Sequence, residues 1–560
     1  MPETPKSKIR NPKFKIVWLL FAAAVVFIYF FGLTIPLVGP DEPRYSQIAR
    51  EMFERGDWVT PQLGGFDWFE KPALLYWLQI ASYKLFGVNE FAARFGSALF
   101  GLGTIMCLWI LGRFSATENT ENTEKKGQTI DNDSFSVNSV SSVAKKDFAN
   151  WLAIIAASSI GLLAFSRGAS FDIILTFPIT ASLVCYFIFE TYLQKHYYCA
   201  IPGTVGNSKS ATVQTIVAVV PPIIWAVLFL SGFYFFIGVA LLAKGLVGIV
   251  FPLAVVFFYH LLKFELLPGK IFLISLFWGT IISLLVAAVW YVPMYQANGW
   301  KFVDEFFIQH HFQRFTSDKY RHRQPFWFFF VVLPLMTLPW LPFFLAALWK
   351  FFKVQGSRFK TQNHSPFTTH HSPLTNFAFA WLAVPLVFFS LSGSKLPGYI
   401  LPSLPGAIVL TAVYVSEFVS KSKVREQILQ ITAASTLLIV FIILQFFATA
   451  YVEHDTVKNM VKTADAKGFA DAEFVSLYTV SHNLEFYAAG RLRREADGKL
   501  KRYDDFSVLV KAIKAEPNKR ILVVVPSGNV ANLQTATDIA NIETVAENGE
   551  SVIILIKPKE

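Results

Sequence analysis

Eleven stretches of this chain are apolar for long enough to cross a lipid bilayer, and that pattern excludes most of what 560 residues can fold into. A spanning helix needs about 20 mostly apolar residues. Such stretches lie near 16–35, 92–112, 149–166, 172–191, 213–236, 246–262, 271–292, 327–349, 374–391, 398–418 and 428–450. Amphipathic segments such as 73–86 leave room for two more, so the sequence predicts about 11–13 spans. Hydrophobic residues make up 54% of the chain and charged residues only 16%. A soluble protein of this size could not shelter that much apolar surface, and a disordered one would not carry it. A β-barrel of the outer-membrane kind would alternate polar and apolar positions instead of running apolar. The cysteines Cys107, Cys185 and Cys199 are scattered without CxxC spacing, which gives neither a disulfide framework nor a zinc site. The fold class is therefore a polytopic α-helical membrane protein.

The net charge of +11 invites a nucleic-acid reading, but topology accounts for it. Cytoplasmic loops of membrane proteins collect Lys and Arg. Lys6, Lys8, Arg10, Lys13 and Lys15 place the N-terminus in the cytoplasm. The first apolar segment leaves through Ile35-Pro36-Leu37-Val38 with no small-residue cleavage site, so it reads as a retained span. Alternate threading then brings Lys125-Lys126, Lys145-Lys146, Lys350, Lys353, Arg358, Lys360, Lys421, Lys423 and Arg425 to the same side. No nucleic-acid partner is expected. Residues 115–147 are rich in Ser, Asn, Thr and acids and read as a disordered cytoplasmic insert. Beyond 450 the charge content becomes ordinary. Strand-like runs at 474–479, 521–526 and 552–556 alternate with helix-like stretches near 457–466 and 506–515. The expected organisation is a membrane domain over 1–450, with an outer loop at 36–91, and a small soluble α/β domain over 451–560 on the outer, periplasmic side.

Ionisable side chains in a membrane are costly, about 2.5–3.5 kcal/mol or more each at mid-helix, so their placement is informative. The threading sends Asp41, Glu42, Arg44, Tyr45, Glu70, Lys71, Arg167, Asp172, Lys244, His310, His311, Arg314 and Lys395 to the outer face. Each has a plain structural reading. Asp41 can cap the helix that follows it, Lys71 and Lys395 can snorkel to headgroups, and the histidines can be solvated. Asp172 can act as a cap or as the partner of Arg167. Together they suit a chemistry. Carboxylates orient a sugar or deprotonate an acceptor hydroxyl, while Lys and Arg hold a lipid phosphate as it leaves. Gathering at one interface fits transfer from a phosphate-linked lipid better than transport. A transporter or flippase of a lipid-linked sugar, the competing class, would place polar residues at the midplane on broken helices, commonly in repeats.

The first outer loop carries an ordered block. It begins Gly39-Pro40-Asp41-Glu42-Pro43-Arg44-Tyr45 and runs through Gly56-Asp57-Trp58. It continues with Phe69-Glu70-Lys71-Pro72 and Gly87-Val88-Asn89-Glu90, and ends at Arg94. Further on stand Arg167 and Asp172, Leu242-Ala243-Lys244-Gly245, Arg314-Phe315 with Arg323-Gln324-Pro325, and Ser394-Lys395-Leu396-Pro397-Gly398-Tyr399. Over about 15–420 these residues resemble the lipid A aminoarabinose transferase branch of the GT-C membrane glycosyltransferases, related to protein O-mannosyltransferases. Pro43, Ala73, Leu246 and Gly398 depart from the family pattern, and none of these departures removes a charged residue.

The resemblance implies a GT-C fold in a bacterial inner membrane. It also implies a sugar donor on a polyprenyl phosphate, in particular undecaprenyl phosphate, and inversion at the anomeric carbon. The acceptor would be lipid A or another glycolipid or polysaccharide, with membrane lipids as surroundings. Asp41 matches the acid taken as catalytic, and Asp172 the second acid. Arg44, Lys71 and Lys244 match contacts to the donor phosphate. Tyr45, Arg314, Lys395 and Tyr399 join the substrate-binding set. Glu70 matches a residue near the sugar or a divalent metal, with His310 as a looser candidate for the same metal.

Overall fold

The computed structural model describes residues 12–127, 148–196, 210–265, 267–313, 324–360, 372–448, 456–534 and 539–559. Most of the predicted insert at 115–147, and Cys199, Arg314 and Arg323, lie outside them. Each of the eleven apolar stretches is mainly helical where it is described. Among the described residues seven helices are long and apolar enough to cross a membrane, or eight if one sharply bent pair counts as a single span; three further apolar helices are shorter. The chain is a multi-span membrane protein.

The helices follow in order, beginning with α1 (Pro12–Phe30) and the amphipathic α2 (Asp41–Arg55). After a short hairpin of β1 (Gln62–Leu63) and β2 (Phe66–Asp67) come α3 (Leu74–Phe86), α4 (Glu90–Gly127), α5 (Phe148–Ser158), α6 (Ile160–Phe165) and α7 (Phe171–His196). Then follow α8 (Ser210–Lys244), α9 (Val247–Leu262), α10 (Lys270–Val303), α11 (Phe328–Met336), α12 (Leu341–Lys360), α13 (Pro373–Leu391), α14 (Leu404–Val419) and α15 (Lys423–Ile442). Local chemistry sets several ends. At α13 the Ser372 hydroxyl accepts from Thr375 N at 3.3 Å and Pro373 opens the first turn, where a missing N–H does no harm. At α2 the chain stops on Gly56, whose positive φ of 67° lets its N–H turn back to the carbonyls of Met52 and Phe53. The segment at 73–86 is a helix with one buried face, as α3.

Two of the predicted spans are broken. The stretch 149–166 divides at Ser159, which is extended. The stretch 327–349 bends by 120° between α11 and α12. Broken backbone inside a bilayer must find partners within the protein. Here each break serves the other: Ile160 N donates to Leu338 O at 2.9 Å, and Trp340 Nε1 donates to Ser158 Oγ at 3.0 Å. Hydropathy does not register this, because every residue at the breaks that packs inside remains apolar or small.

Past residue 455 the chain forms a compact α/β unit. It contains α16 (Lys458–Ala464), β3 (Glu473–Leu477), α17 (Leu484–Tyr487), β4 (Arg502–Tyr503) and α18 (Phe506–Lys514). It ends with β5 (Ile521–Pro526), α19 (Ser527–Gln534), β6 (Ala540–Glu547) and β7 (Ser551–Pro558). The sheet order is β4-β3-β5-β7-β6, parallel across β4, β3 and β5 and antiparallel across the remainder. Central β5 is apolar throughout because both of its faces are covered. Val523 and Val525 pack with Leu509 and Ile513 of α18, and Leu522 and Val524 pack with Met460 and Val461 of α16.

Candidate active site

The loop at 36–91 is anchored from behind before it offers anything in front. Glu42 and Arg94 form a buried bidentate pair, with Nη2 to Oε2 at 2.6 Å and Nε to Oε1 at 3.0 Å. The remaining valences are used as well. Glu42 accepts from Val38 N at 2.9 Å and from Ala169 N at 2.7 Å, and Arg94 donates to the carbonyls of Leu33, Ile35 and Pro36. Burial alone would raise the Glu42 carboxyl, but the Arg94 charge and these hydrogen bonds bring it below its ordinary value. Arg167 ties the same region to α1. It donates to Ile28 O at 2.5 Å and to Phe31 O, capping the C-terminal carbonyls of the helix. Among the described residues Arg167 has no ion pair with Asp172.

In front of this anchor stands Asp41, in the first turn of α2, with its side chain half exposed. Arg44, one turn on, lies 3.5 Å away. The surrounding protein strips water from Asp41 and raises its carboxyl above the usual value. The Arg44 and Lys71 cations oppose that rise, and the Glu70 and Asp172 carboxylates add to it. Four of the residues singled out in the sequence thus act on the charge of a fifth. Glu70 and Lys71 are adjacent, and Lys71 Nζ donates to Glu70 Oε1 at 3.1 Å.

A second group adjoins the first. Asp172 opens α7 and Lys244 closes its antiparallel neighbour α8, so both reach the same end of the bundle, where they form an ion pair. The Ser170 hydroxyl bonds Asp172 Oδ2 at 3.2 Å and orients the carboxylate. Lys244 Nζ lies 4.6 Å from the centre of the Tyr399 ring, a cation–π contact. Tyr399 sits on a 3-10 segment, Pro397–Ser403, that approaches Asp172 closely. A Cβ on Gly398 would stand 1.9 Å from Asp172 Oδ2, so only glycine leaves room for this packing.

Two candidates take other places. Tyr45 is buried edge-on against Phe171 at 4.9 Å and Tyr76 at 6.5 Å, which makes it part of the floor beneath Asp41. Lys395 is also buried, and its ammonium donates to Ser392 O at 2.6 Å, inside its own loop. His310 lies on a π-helical turn, Asp304–Gln313, but its side chain, like Arg314, is outside the described residues. Among the described residues no three His, Cys, Asp or Glu side chains converge as metal ligands, and Glu70 is engaged by Lys71. The described residues alone do not make a metal site.

Sequence reasoning missed three features. Trp68 lies under Arg44, with the guanidinium 5.5 Å from its ring centre. Lys301, from the end of α10, pairs with Asp67 at 2.6 Å and closes the hairpin against the following loop. His482 and Glu485 of the C-terminal unit face Arg44 from the other side, at 3.3 and 4.0 Å. The tryptophan beside Glu70 was a usable signal; the C-terminal pair carries no motif.

The chain is similar to known proteins in sequence and in fold. Residues 16–120 match the family model described as dolichyl-phosphate-mannose-protein mannosyltransferase. The chain is 27% identical over 425 residues to the undecaprenyl phosphate-alpha-4-amino-4-deoxy-L-arabinose arabinosyl transferase of Serratia proteamaculans, covering 72% of this chain and 61% of that protein. The enzyme of the same name from Yersinia enterocolitica is 28% identical over 414 residues, covering 72% and 59%. The chain thus spans about three fifths of the length of these relatives. Among solved structures, ArnT from Cupriavidus metallidurans bound to undecaprenyl phosphate superposes with a TM-score of 0.66 at 21% identity, covering 96% of this chain and 98% of that one. An oligosaccharyltransferase from Archaeoglobus fulgidus superposes more loosely, with a TM-score of 0.51 at 13% identity and coverage of 98% and 76%. The chain has the fold of the solved ArnT structure.

Proposed function

We propose that this protein is a glycosyltransferase of a bacterial inner membrane. It moves a sugar from undecaprenyl phosphate, or a closely similar polyprenyl phosphate, to lipid A or another glycolipid or polysaccharide acceptor. The reaction takes place at the periplasmic face, with the N-terminus in the cytoplasm and the C-terminal unit outside. The observation that carries this reading is the meeting of Asp41, Arg44, Glu70, Lys71, Asp172 and Lys244 at one end of the helical bundle. A site at one end, not at the midplane, supports transfer over transport. The names of the relatives support the donor class.

The chemistry follows from the charges. The acceptor oxygen forms a bond to the anomeric carbon while the bond from that carbon to the phosphate oxygen breaks. The configuration inverts, and the phosphate leaves with an added negative charge. Arg44, Lys71 and Lys244 are already held in place by carboxylates, so they meet that charge without reorganising. Asp41 is the half-exposed carboxylate of the group, and its raised pKa makes it a better base toward a hydroxyl. Toward an anionic phosphate acceptor it serves to position. Asp172, fixed by Lys244 and Ser170, orients the sugar. The test is transfer by the purified protein from a synthetic polyprenyl-phosphate sugar to a lipid A acceptor, with products read by mass spectrometry. Movement of the donor across vesicles with no transferred sugar would sink the reading.

A further inference from the structure

The C-terminal unit touches the proposed donor site through one short segment. It is bolted down there: the Tyr487 hydroxyl accepts from Leu37 N at 2.7 Å and donates to Glu90 Oε1 at 3.2 Å, and Lys458 pairs with Glu90. Phe486 is buried in the core of the membrane domain. Two side chains of the same segment point at Arg44. Nη2 of Arg44 donates to His482 Nδ1 at 3.3 Å, which requires a neutral imidazole with its proton on Nε2. Burial and the neighbouring Arg44 charge both lower the His482 pKa and favour that form.

Glu485 is nearly fully buried, with Oε2 4.0 Å from Arg44 and Oε1 3.8 Å from Arg494. Oε2 has no hydrogen bond among the described residues. A buried carboxylate left short of hydrogen bonds is costly, and an apolar residue would pack there more cheaply. What the carboxylate supplies is charge between two guanidinium groups, which keeps Arg44 from being pushed away by Arg494. With Trp68 below and Asp41 beside it, Arg44 is held by four side chains.

We propose that Glu485 and His482 are positioning residues for Arg44, so that the C-terminal unit is a working part of the donor-phosphate site. This rests on the reading of Arg44 as a phosphate contact. Functional groups lose effect when displaced by fractions of an ångström, and a rigidly docked partner prevents that displacement.

The test is binding of undecaprenyl phosphate and of uncharged undecaprenol to the full-length protein in nanodiscs. Wild type should prefer the phosphate. Glu485→Gln, which keeps the shape, should weaken phosphate binding about tenfold and leave undecaprenol binding unchanged. In an Arg44→Gln background the same change should have no further effect, the signature of acting through Arg44. His482→Leu should weaken phosphate binding, and His482→Asn, which keeps an acceptor at the Nδ1 position, should restore most of it. An unchanged or tighter phosphate affinity in Glu485→Gln, or an equal loss with and without Arg44, would overturn the inference while the wild-type preference stands. A wild type with no preference for the phosphate would remove the functional reading itself, and the inference with it.

Discussion

Asp41 and Glu42 are neighbours in the chain and opposites in the structure. Glu42 faces inward, fully paired with Arg94 and two backbone amides, and its pKa is depressed. Asp41 faces outward, half exposed, with one loose ion pair, and its pKa is raised. The first turn of α2 separates them by about 100° of rotation, enough to assign one to the anchor and one to the site. A carboxylate whose bonds are complete holds structure. One whose bonds are incomplete is available to a ligand.

The sharpest way to break this comparison is to neutralise each in turn. Asp41→Asn should lower sugar transfer about 10²- to 10⁴-fold, the usual span for a general base, with the thermal unfolding temperature unchanged or slightly raised. The sign follows from its raised pKa, since the folded state stabilises the ionised form of Asp41 less well than the unfolded chain does. Glu42→Gln should do the reverse. Removing one partner of a buried pair destabilises by about 3–5 kcal/mol, read as a lower unfolding temperature in detergent, and surviving folded protein should keep its turnover. A Glu42→Gln protein that is stable but inactive would erase the distinction.

Gly398→Ala tests the second acid. Its Cβ cannot fit beside Asp172, so either the 3-10 segment or the Asp172–Lys244 pair must move. Transfer should fall by the equivalent of about 1–3 kcal/mol of overpacking, with donor and acceptor kinetics showing whether kcat or KM bears it.

The smallest effects are in pH. A rate that needs ionised Asp41 falls as pH drops through its raised pKa. The acid limb should therefore lie above the ordinary carboxylate range and disappear in Asp41→Asn. Glu42 contributes in the opposite sense. Its folded pKa is lowered, so its stabilisation is present above the unfolded value and is lost only as pH falls through the lower folded one. Acid unfolding of Glu42→Gln should lack that component.

Much of this was legible in the sequence, for physical reasons. Apolar length marks a helix in lipid without any knowledge of tertiary structure, which is why the eleven stretches are mainly helical where they are described. Asp172 and Lys244 stood out because isolated charges at the ends of apolar runs need a reason, and each turned out to be the other's partner. What sequence could not show depends on contacts between distant segments. The breaks at Ser159 and between α11 and α12 are stabilised by each other, so neither carries a local signal. Tyr45 sits one residue from Arg44, and the helix turns it inward. Arg167 was one of two plain explanations for Asp172, and it holds the end of α1. His482 and Glu485 lie more than four hundred residues from the side chain they face.

The cross-ties around Glu42 and Arg167 also set a timetable. Ala169 N reaches Glu42 across 127 residues of chain, and Arg167 reaches Ile28 across 139. The turn bearing Asp172 cannot be joined to the loop bearing Asp41 until that intervening length has been made. At about 5–20 residues per second, this interval is of the order of ten seconds. During it the buried half of the Glu42–Arg94 cluster has no amide from Ala169 to complete it. The nascent loop carrying Asp41 therefore waits while its companion acid is still inside the ribosome or the insertion machinery. A chain assembled in that order cannot form the Asp172–Lys244 pair until five of its apolar segments have been made.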